Sequence, residues 1–420
     1  MVTSSGPTIP TALEAIGRWA MEGNGSDGTT KMLGYSYFFQ GVKTSCSMCT
    51  ACMPTGLRCP DVPSMSDRVR SKENHIMMPL KFVKALLCFF TIFGFTTHVV
   101  AAGEIVYQAL SLNTAKKFEF LSQNCTGFGS REFKCTDLKM MGYLFEPENS
   151  WDKLVIVAHG SGGHDPRHFE YADALIKNGM AALVLDHFGP RNVTKAHSDF
   201  VGSEAKGASA PSMASDAIWA AEALRTQYSN LKSIGFMGES MGGGAALFLT
   251  KRWMYTVFDK PPFTDKIQKR FSPRPFNAIA SLYGGCFEQV DGERFVDVPL
   301  LMLLGEKDDN TPAQLCVTHA DWINTRGGVA KAIVLPGEHH DFDAPFRKEY
   351  FPQAQNPSKC HQFLIGTEII LSHNKKSYPR TYAGQSQKGR DCYGWGVTGG
   401  HRGNKFIGVP HWLTHFKKFL

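Results

Sequence analysis

Residues Ser233–Thr250 read SIGFMGESMGGGAALFLT, and this stretch decides the fold. Ser233–Met237 is a short apolar run of strand length. Gly238-Glu239-Ser240-Met241-Gly242 follows directly, and Gly243–Thr250 has helical character. A strand that runs into G-x-S-x-G and on into a helix is the context of a nucleophile elbow. The serine of such an elbow occupies a sharp, strained turn. Glycines two residues to either side remove the Cβ atoms that would collide where strand and helix nearly touch. The pentapeptide alone arises by chance in about one chain in five of this length and composition, so its flanks carry the weight.

Outward from the elbow, apolar strands alternate with helices. Leu154–Ala158 (LVIVA) predicts a buried strand, ending in His159-Gly160-Ser161-Gly162-Gly163. A helix is expected over Arg167–Asn178 and a strand over Met180–Leu185. A second helix over Ser212–Tyr228 sets Ala217, Ala221, Leu224 and Tyr228 on one face. On the C-terminal side, Leu300–Leu304 (LLMLL) runs into Gly305-Glu306-Lys307-Asp308-Asp309, and Ala332–Leu335 (AIVL) into Pro336-Gly337-Glu338-His339-His340-Asp341-Phe342. Pro410–Leu420 is expected as a closing helix. Strand and helix in this alternation imply a mostly parallel sheet flanked by helices.

A hydroxyl is a poor nucleophile at neutral pH and needs a histidine base held by a carboxylate, which in this topology follow the serine in the order acid, then histidine. The chain supplies both beyond strand C-termini, where open α/β sheets build their sites. Asp308 is preferred over its neighbour Asp309, and His339 and His340 both follow the last of these strands. The oxyanion requires two N–H donors, one from the residue after the nucleophile and one from the loop after an early strand. Met241 is the first and Ser161 is chosen as the second. His159 is expected to be structural, beneath that loop. His164, His187 and His197 have no evident partner, Asp186 and Arg191 are expected in a solvated or paired turn, and nothing marks Cys286 as a nucleophile.

These residues resemble the dienelactone hydrolase family of the α/β-hydrolase superfamily, in its exported serine branch. Five segments carry the resemblance in order: Val157–Gly163 (VAHGSGG), Leu185–Val193 (LDHFGPRNV), Gly238–Gly243 (GESMGG), Gly305–Cys316 (GEKDDNTPAQLC) and Pro336–Pro345 (PGEHHDFDAP). Together they span roughly 200 residues. The resemblance implies a triad of Ser240, Asp308 and His340, since the family places its base two residues before the phenylalanine, here Phe342. It also implies hydrolysis of an ester or lactone through an acyl-enzyme, with no cofactor. The chain departs from the family's founders in having serine where they carry cysteine. It also carries an excursion over Tyr255–Phe276, a lid or a plain surface insertion.

Of 420 residues, 43% are hydrophobic and 20% charged, enough apolar matter for a substantial core. The net charge of +7 comes without an arginine-rich run or recognition-helix pattern, so nucleic-acid binding has no support. Met78–Ala102 has the three parts of a signal peptide: Lys81 and Lys84, the apolar run Ala85–Phe95, and small residues at Val99/Ala101 or Val100/Ala102. Translation from Met77 or Met78 with cleavage near Ala102 yields a secreted or periplasmic protein, the favoured expectation, and makes residues 1–76 a poorly structured leader. A start at Met1 turns Ala85–Ala102 into a marginal signal anchor and brings membrane contact. Residues 103–420 are then the hydrolase domain, with a basic tail segment over 372–408.

Cys46, Cys49, Cys52 and Cys59 in the leader lack the last spacing of a ferredoxin-type site, and metal binding is disfavoured there. The six cysteines after Gly103 fit an exported domain. The expected pairing is Cys125–Cys135, Cys286–Cys316 and Cys360–Cys392, among fifteen arrangements. Asn124 and Asn192 stand in glycosylation sequons. Two further functions stay open at this point: a peptidase of the same fold, and a catalytically silent binding protein whose basic tail is its contact surface.

Overall fold

The computed structural model describes residues 107–126, 134–194, 200–256 and 275–420. The leader 1–76 with its cysteines, the signal segment 77–102, His197 and most of the excursion 255–276 lie outside them. Antiparallel strands β1 (Lys116–Thr126) and β2 (Lys134–Phe145) open the fold. In β1, Phe118, Phe120 and Ser122 are buried while Lys117, Glu119 and Leu121 face solvent, the period-2 pattern of a strand with one wet face. There follow β3 (Lys153–Ala158), α1 (Pro166–Ile176), β4 (Ala181–Asp186), α2 (Phe200–Ala205) and α3 (Ala210–Gln227). Next come β5 (Ser233–Glu239), α4 (Met241–Phe248), α5 (Arg252–Thr256), β6 (Ala278–Leu282) and the short β7 (Glu288–Val290). β8 (Pro299–Gly305), α6 (Ala313–Asn324) and β9 (Val329–Leu335) complete the alternating part.

Eight strands pair in the order β1-β2-β4-β3-β5-β6-β8-β9. β2 runs antiparallel to β4, and from β4 to β9 every pairing is parallel. Because successive side chains of a strand point to opposite faces, LVIVA divides. Leu154, Ile156 and Ala158 enter one core with Met213, Ala217 and Leu224 of α3 and Ala245 of α4. Val155 and Val157 enter the other, with Tyr171 and Leu175 of α1 and with Trp412 and Phe416 near the C-terminus. Continuous apolar strands are what burial on both faces demands. Every strand expected from the sequence is present. β6 and α6 were not anticipated, because AIASL mixes alanine and serine with only two large apolar residues and α6 follows a Thr-Pro turn without a side-chain cap.

Beyond β9 the chain builds a second, smaller unit of β-structure. It comprises β10 (Glu349–Asn356), β11 (Gln362–Ile365), β12 (Glu368–Leu371), β13 (Ser377–Pro379), α7 (Tyr382–Cys392) and β14 (Gly394–Gly399), before the closing helix α8 (Val409–Phe419). β10 pairs with β14, and β13-β12-β11-β7 form a four-stranded sheet. Leu364, Ile369, Leu371 and Tyr378 pack with Cys360 and Cys392 in a small core of their own. The stretch 372–408, expected as a basic tail segment, carries β13, α7 and β14, elements that its Lys- and Gly-rich sequence did not announce.

Cys286–Cys316 and Cys360–Cys392 are disulfides, as expected. Cys125 and Cys135 are register partners in the β1–β2 ladder; the Cys125 side chain lies outside the described residues. No helix among the described residues is long and apolar enough to cross a membrane.

Candidate active site

Ser240 follows β5 at φ 49°, ψ −110°, a conformation that costs an L-residue about 1–3 kcal/mol and persists only where its surroundings enforce it. They do so here. Ser240 N–H donates to the Leu282 carbonyl at 3.0 Å, and its own carbonyl accepts from Gly244 N–H at 2.9 Å. A Cβ on Gly238 would stand 2.3 Å from the Gly242 carbonyl oxygen, and one on Gly242 would stand 2.6 Å from that of Ala158. The glycines are therefore obligatory for the strand–helix crossing, as their spacing implied. Met241 begins α4, so its N–H has no intrahelical acceptor.

The loops after β8 and β9 bring an acid and a histidine to the serine. His340 Nε2 lies 3.1 Å from Ser240 Oγ, and His340 Nδ1 lies 2.9 Å from Asp308 Oδ2. Asp308 Oδ1 accepts the N–H groups of Asn310 at 2.9 Å and Thr311 at 2.7 Å, and Thr311 Oγ1 donates to Oδ2 at 2.7 Å. This carboxylate is thus fixed in rotation. Burial disfavours the His340 cation, but the charge and hydrogen bond of Asp308 outweigh it and raise the pKa to about 9. Asp309 faces the other way and accepts from Thr398 N–H at 2.9 Å. His339 makes no contact with Ser240 among those described, and its pKa is lowered by burial.

A parallel sheet of this order, an elbow serine after β5, an acid after β8 and a histidine after β9 leave one assignment. This is an α/β-hydrolase fold. No protein-family model matches the chain, and no curated protein matches it. Among solved structures it is similar to the dienelactone hydrolase of Anabaena variabilis, at 18% identity and a TM-score of 0.35 over 55% of this chain and 91% of that one. It is similar also to esterase 2 of Thermogutta terrifontis, at 16% identity and 0.38 over 56% and 87%. A dienelactone hydrolase-like promiscuous phosphotriesterase from metagenomic libraries gives 16% identity and 0.36 over 55% and 86%. The fold assignment stands on the strand order and the elbow.

The loop after β3 is held from beneath. Gly163 N–H closes a turn onto the Gly160 carbonyl at 3.2 Å, which leaves Ser161 at its first corner. His159 is wholly buried; its Nδ1 lies 2.7 Å from the same carbonyl, and its Nε2 accepts from His187 N–H at 3.2 Å. Those contacts require the neutral tautomer with the proton on Nδ1. Burial, together with nearby His164 and His187, pushes the His159 pKa well down. The structural role expected of His159 is the one it has. His164 Nε2 meets the Leu185 carbonyl at 2.6 Å, and His187 Nδ1 meets Asp216 at 2.8 Å. Asp186 caps its own turn through Phe188 and Gly189 N–H. Arg191 is buried and forks onto Asp216 at 2.8 and 3.0 Å, so it is paired rather than solvated. Close as His159, His164, His168 and His187 are, the described residues contain no metal-holding group of histidine, cysteine or carboxylate.

Several supporting residues were not singled out from the sequence. Tyr283, fully buried at φ 37°, lays its ring 4.9 Å from that of His340 and donates its hydroxyl to Asp343 at 2.6 Å. Arg167 reaches Tyr283 Oη at 2.8 Å and Asp341 at 2.7 Å. Burial raises the pKa of Asp343 to about 6 despite Arg167. Ser240, Tyr283 and Asp341 are three of the five non-glycine residues at positive φ among those described. Strain therefore gathers where the serine and histidine meet. Asp341 and Asp343 lie inside the quoted PGEHHDFDAP segment, but their partners Arg167, Tyr171 and Tyr283 come from elements remote in sequence. The small β-unit also braces the site: Asn356 donates to the Asp309 carbonyl at 3.0 Å, and Gly400 N–H to the His340 carbonyl at 2.9 Å.

Proposed function

We propose that this chain is a serine hydrolase of carboxylic esters or lactones that works through an acyl-enzyme intermediate. The support is the continuous hydrogen-bonded line Ser240 Oγ, His340, Asp308 at 3.1 and 2.9 Å, set at an elbow whose strain is enforced by neighbouring backbone. In this mechanism Ser240 Oγ attacks the ester carbonyl carbon while His340 Nε2 takes its proton. The carbonyl oxygen becomes an oxyanion held by the N–H groups of Met241 and Ser161. Collapse expels the alcohol, protonated by His340, and leaves the acyl group on Ser240. Water, deprotonated by His340, repeats the cycle to release the acid. Asp308 keeps the Nδ1 proton in place and stabilises the imidazolium. The steps need no further group.

The substrate in this proposal is a small-molecule ester or lactone. The two disulfides support residence in an oxidising compartment, secreted or periplasmic. The test is labelling of the protein with a fluorophosphonate and mapping of the adduct by peptide mass, with Ser240→Ala as control, followed by p-nitrophenyl esters, lactones and peptides as substrates. Labelling at Ser240 with ester turnover and no peptide turnover is expected. A folded protein that neither labels nor turns over an ester is instead a silent member of the fold.

A further inference from the structure

Glu239 is the residue directly before Ser240. It is an acid, 4% exposed, at the end of a strand that is otherwise apolar, and a buried carboxylate is costly unless its charge and lone pairs are engaged. Its Oε1 accepts the Gly160 N–H at 2.5 Å. The fit is close: a Cβ on Gly160 would lie 2.6 Å from both Glu239 carboxylate oxygens. Two basic groups lie around it. His168 Nε2 is 3.4 Å away, with His168 Nδ1 in turn 3.3 Å from Asp165. Arg167, bonded to Asp165, Asp341 and Tyr283, adds its field.

Gly160 therefore has both backbone groups in use, its N–H by Glu239 and its carbonyl by His159 and Gly163. We propose that Glu239 is a positioning residue of the oxyanion hole: by taking up the Gly160 N–H it fixes the loop so that the next amide, that of Ser161, faces the substrate carbonyl. Placing the brace on the residue before Ser240 ties the two donors together. The strand end that carries Ser240 and Met241 also holds, through one side chain, the loop that carries Ser161. His168 and Arg167 offset a carboxylate that, left alone, would oppose the developing oxyanion. Glu239 touches no reacting atom, and its effect is exerted through Gly160 and Ser161.

This inference rests on the proposed hydrolysis, and the tests separate the two. Wild-type protein must label at Ser240 and turn over p-nitrophenyl butyrate; if it does not, the hydrolase proposal fails before Glu239 is reached. Loss of one oxyanion donor costs about 10²–10³ in rate. Glu239→Ala is accordingly expected to lower kcat and the fluorophosphonate inactivation rate together by about 30- to 300-fold, with KM within about threefold. Glu239→Gln keeps an oxygen for the Gly160 N–H and is expected to stay within about tenfold of wild type. Gly160→Ala, which displaces the carboxylate, is expected to match Glu239→Ala, and the double variant to lose little more than either, since both break one contact.

In 15N-glycine-labelled protein the Gly160 amide proton is expected far downfield, and to move upfield in Glu239→Ala. That readout does not depend on catalysis. A folded Glu239→Ala with kcat and inactivation rate within threefold of wild type overturns the proposal, as does a loss confined to KM, additivity in the double variant, or an unmoved Gly160 resonance. If Glu239→Ala does not fold, Gly160→Ala decides alone, and wild-type kcat in that variant is equally fatal.

Discussion

Asp308→Asn is the most informative single change at the site. Asp308 Oδ1 serves two backbone N–H groups at 2.9 and 2.7 Å, so the asparagine oxygen must take that position, the only one at which an acceptor is obligatory. The amide NH₂ is then turned toward His340 Nδ1 and Thr311 Oγ1, where Oδ2 had accepted. Thr311 Oγ1 can rotate to accept. His340 Nδ1 must become an acceptor, which places the imidazole proton on Nε2, facing Ser240 Oγ, where it cannot remove the serine proton. The charge is lost as well. The rise of His340 from 6.5 to about 9 corresponds, at about 1.4 kcal/mol per pKa unit, to about 3 kcal/mol of imidazolium stabilisation, or a few hundredfold in rate. The tautomer trap adds to this, and the same change in a serine protease costs about 10⁴. We expect kcat/KM for p-nitrophenyl butyrate to fall by about 10³–10⁴ with KM little altered and the melting temperature within a few degrees. Asp309→Asn, at a carboxylate that accepts from Thr398 N–H, should lose less than tenfold. Retention of more than a tenth of wild-type kcat/KM by a folded Asp308→Asn would refute this account, more decisively if Asp309→Asn were the crippled variant.

The pH profile follows from the same pair. In the proposed mechanism His340 must be neutral to act as base, and its pKa is raised to about 9; kcat/KM should therefore climb from pH 6 through a midpoint near pH 9 and level off only about one unit higher, and a limb centred at or below 6.5 would show that Asp308 does not hold the imidazolium. Stability runs the opposite way. A histidine whose folded pKa lies above its unfolded value stabilises fully below about 6.5 and loses that contribution as pH rises through about 9, so the urea midpoint should fall between pH 7 and pH 9.5 as His340 and His168 deprotonate. Replacing Cys360 and Cys392 together by serine opens a link across 32 residues and should cost about 3 kcal/mol in urea unfolding; because the unit it ties braces the Asp308 and His340 loops, kcat should fall as well. Gly242→Ala sets a Cβ 2.6 Å from a backbone oxygen and should abolish Ser240 labelling, whereas Gly162→Ala, with nothing within 4 Å of the added atom, should retain it.

The elbow, the order acid then histidine, and the run of apolar strands were legible in the sequence because each is a local property. The glycine spacing reports a steric demand between residues four apart. An apolar run of strand length reports burial on two faces. Loops beyond strand ends are where side chains converge on the edge of a parallel sheet. The pairing of Cys286 with Cys316 and of Cys360 with Cys392 was likewise the expected one. What no local pattern carried was orientation and partnership. Asp308 and Asp309 are chemically alike, and only the turn at the end of β8 sends one to His340 and the other to Thr398. Arg191 read as a turn residue until the fold set Asp216 of α3 beneath it. Tyr283, Asp343 and Arg167 lie on three separate segments, and their contacts with one another span 60 to 176 residues.

By itself, then, the sequence indicated the alternating strands and helices, the elbow, and the serine, acid and histidine proposed to react, since these depend on residue type and spacing along one stretch of chain. Tertiary structure alone decided which carboxylate meets the histidine, what supports the strained residues, and that the chain beyond β9 folds back as a disulfide-tied unit against the site. Those outcomes are set by which segments the packed core brings within about 3 Å of each other, a distance that no period in the sequence encodes.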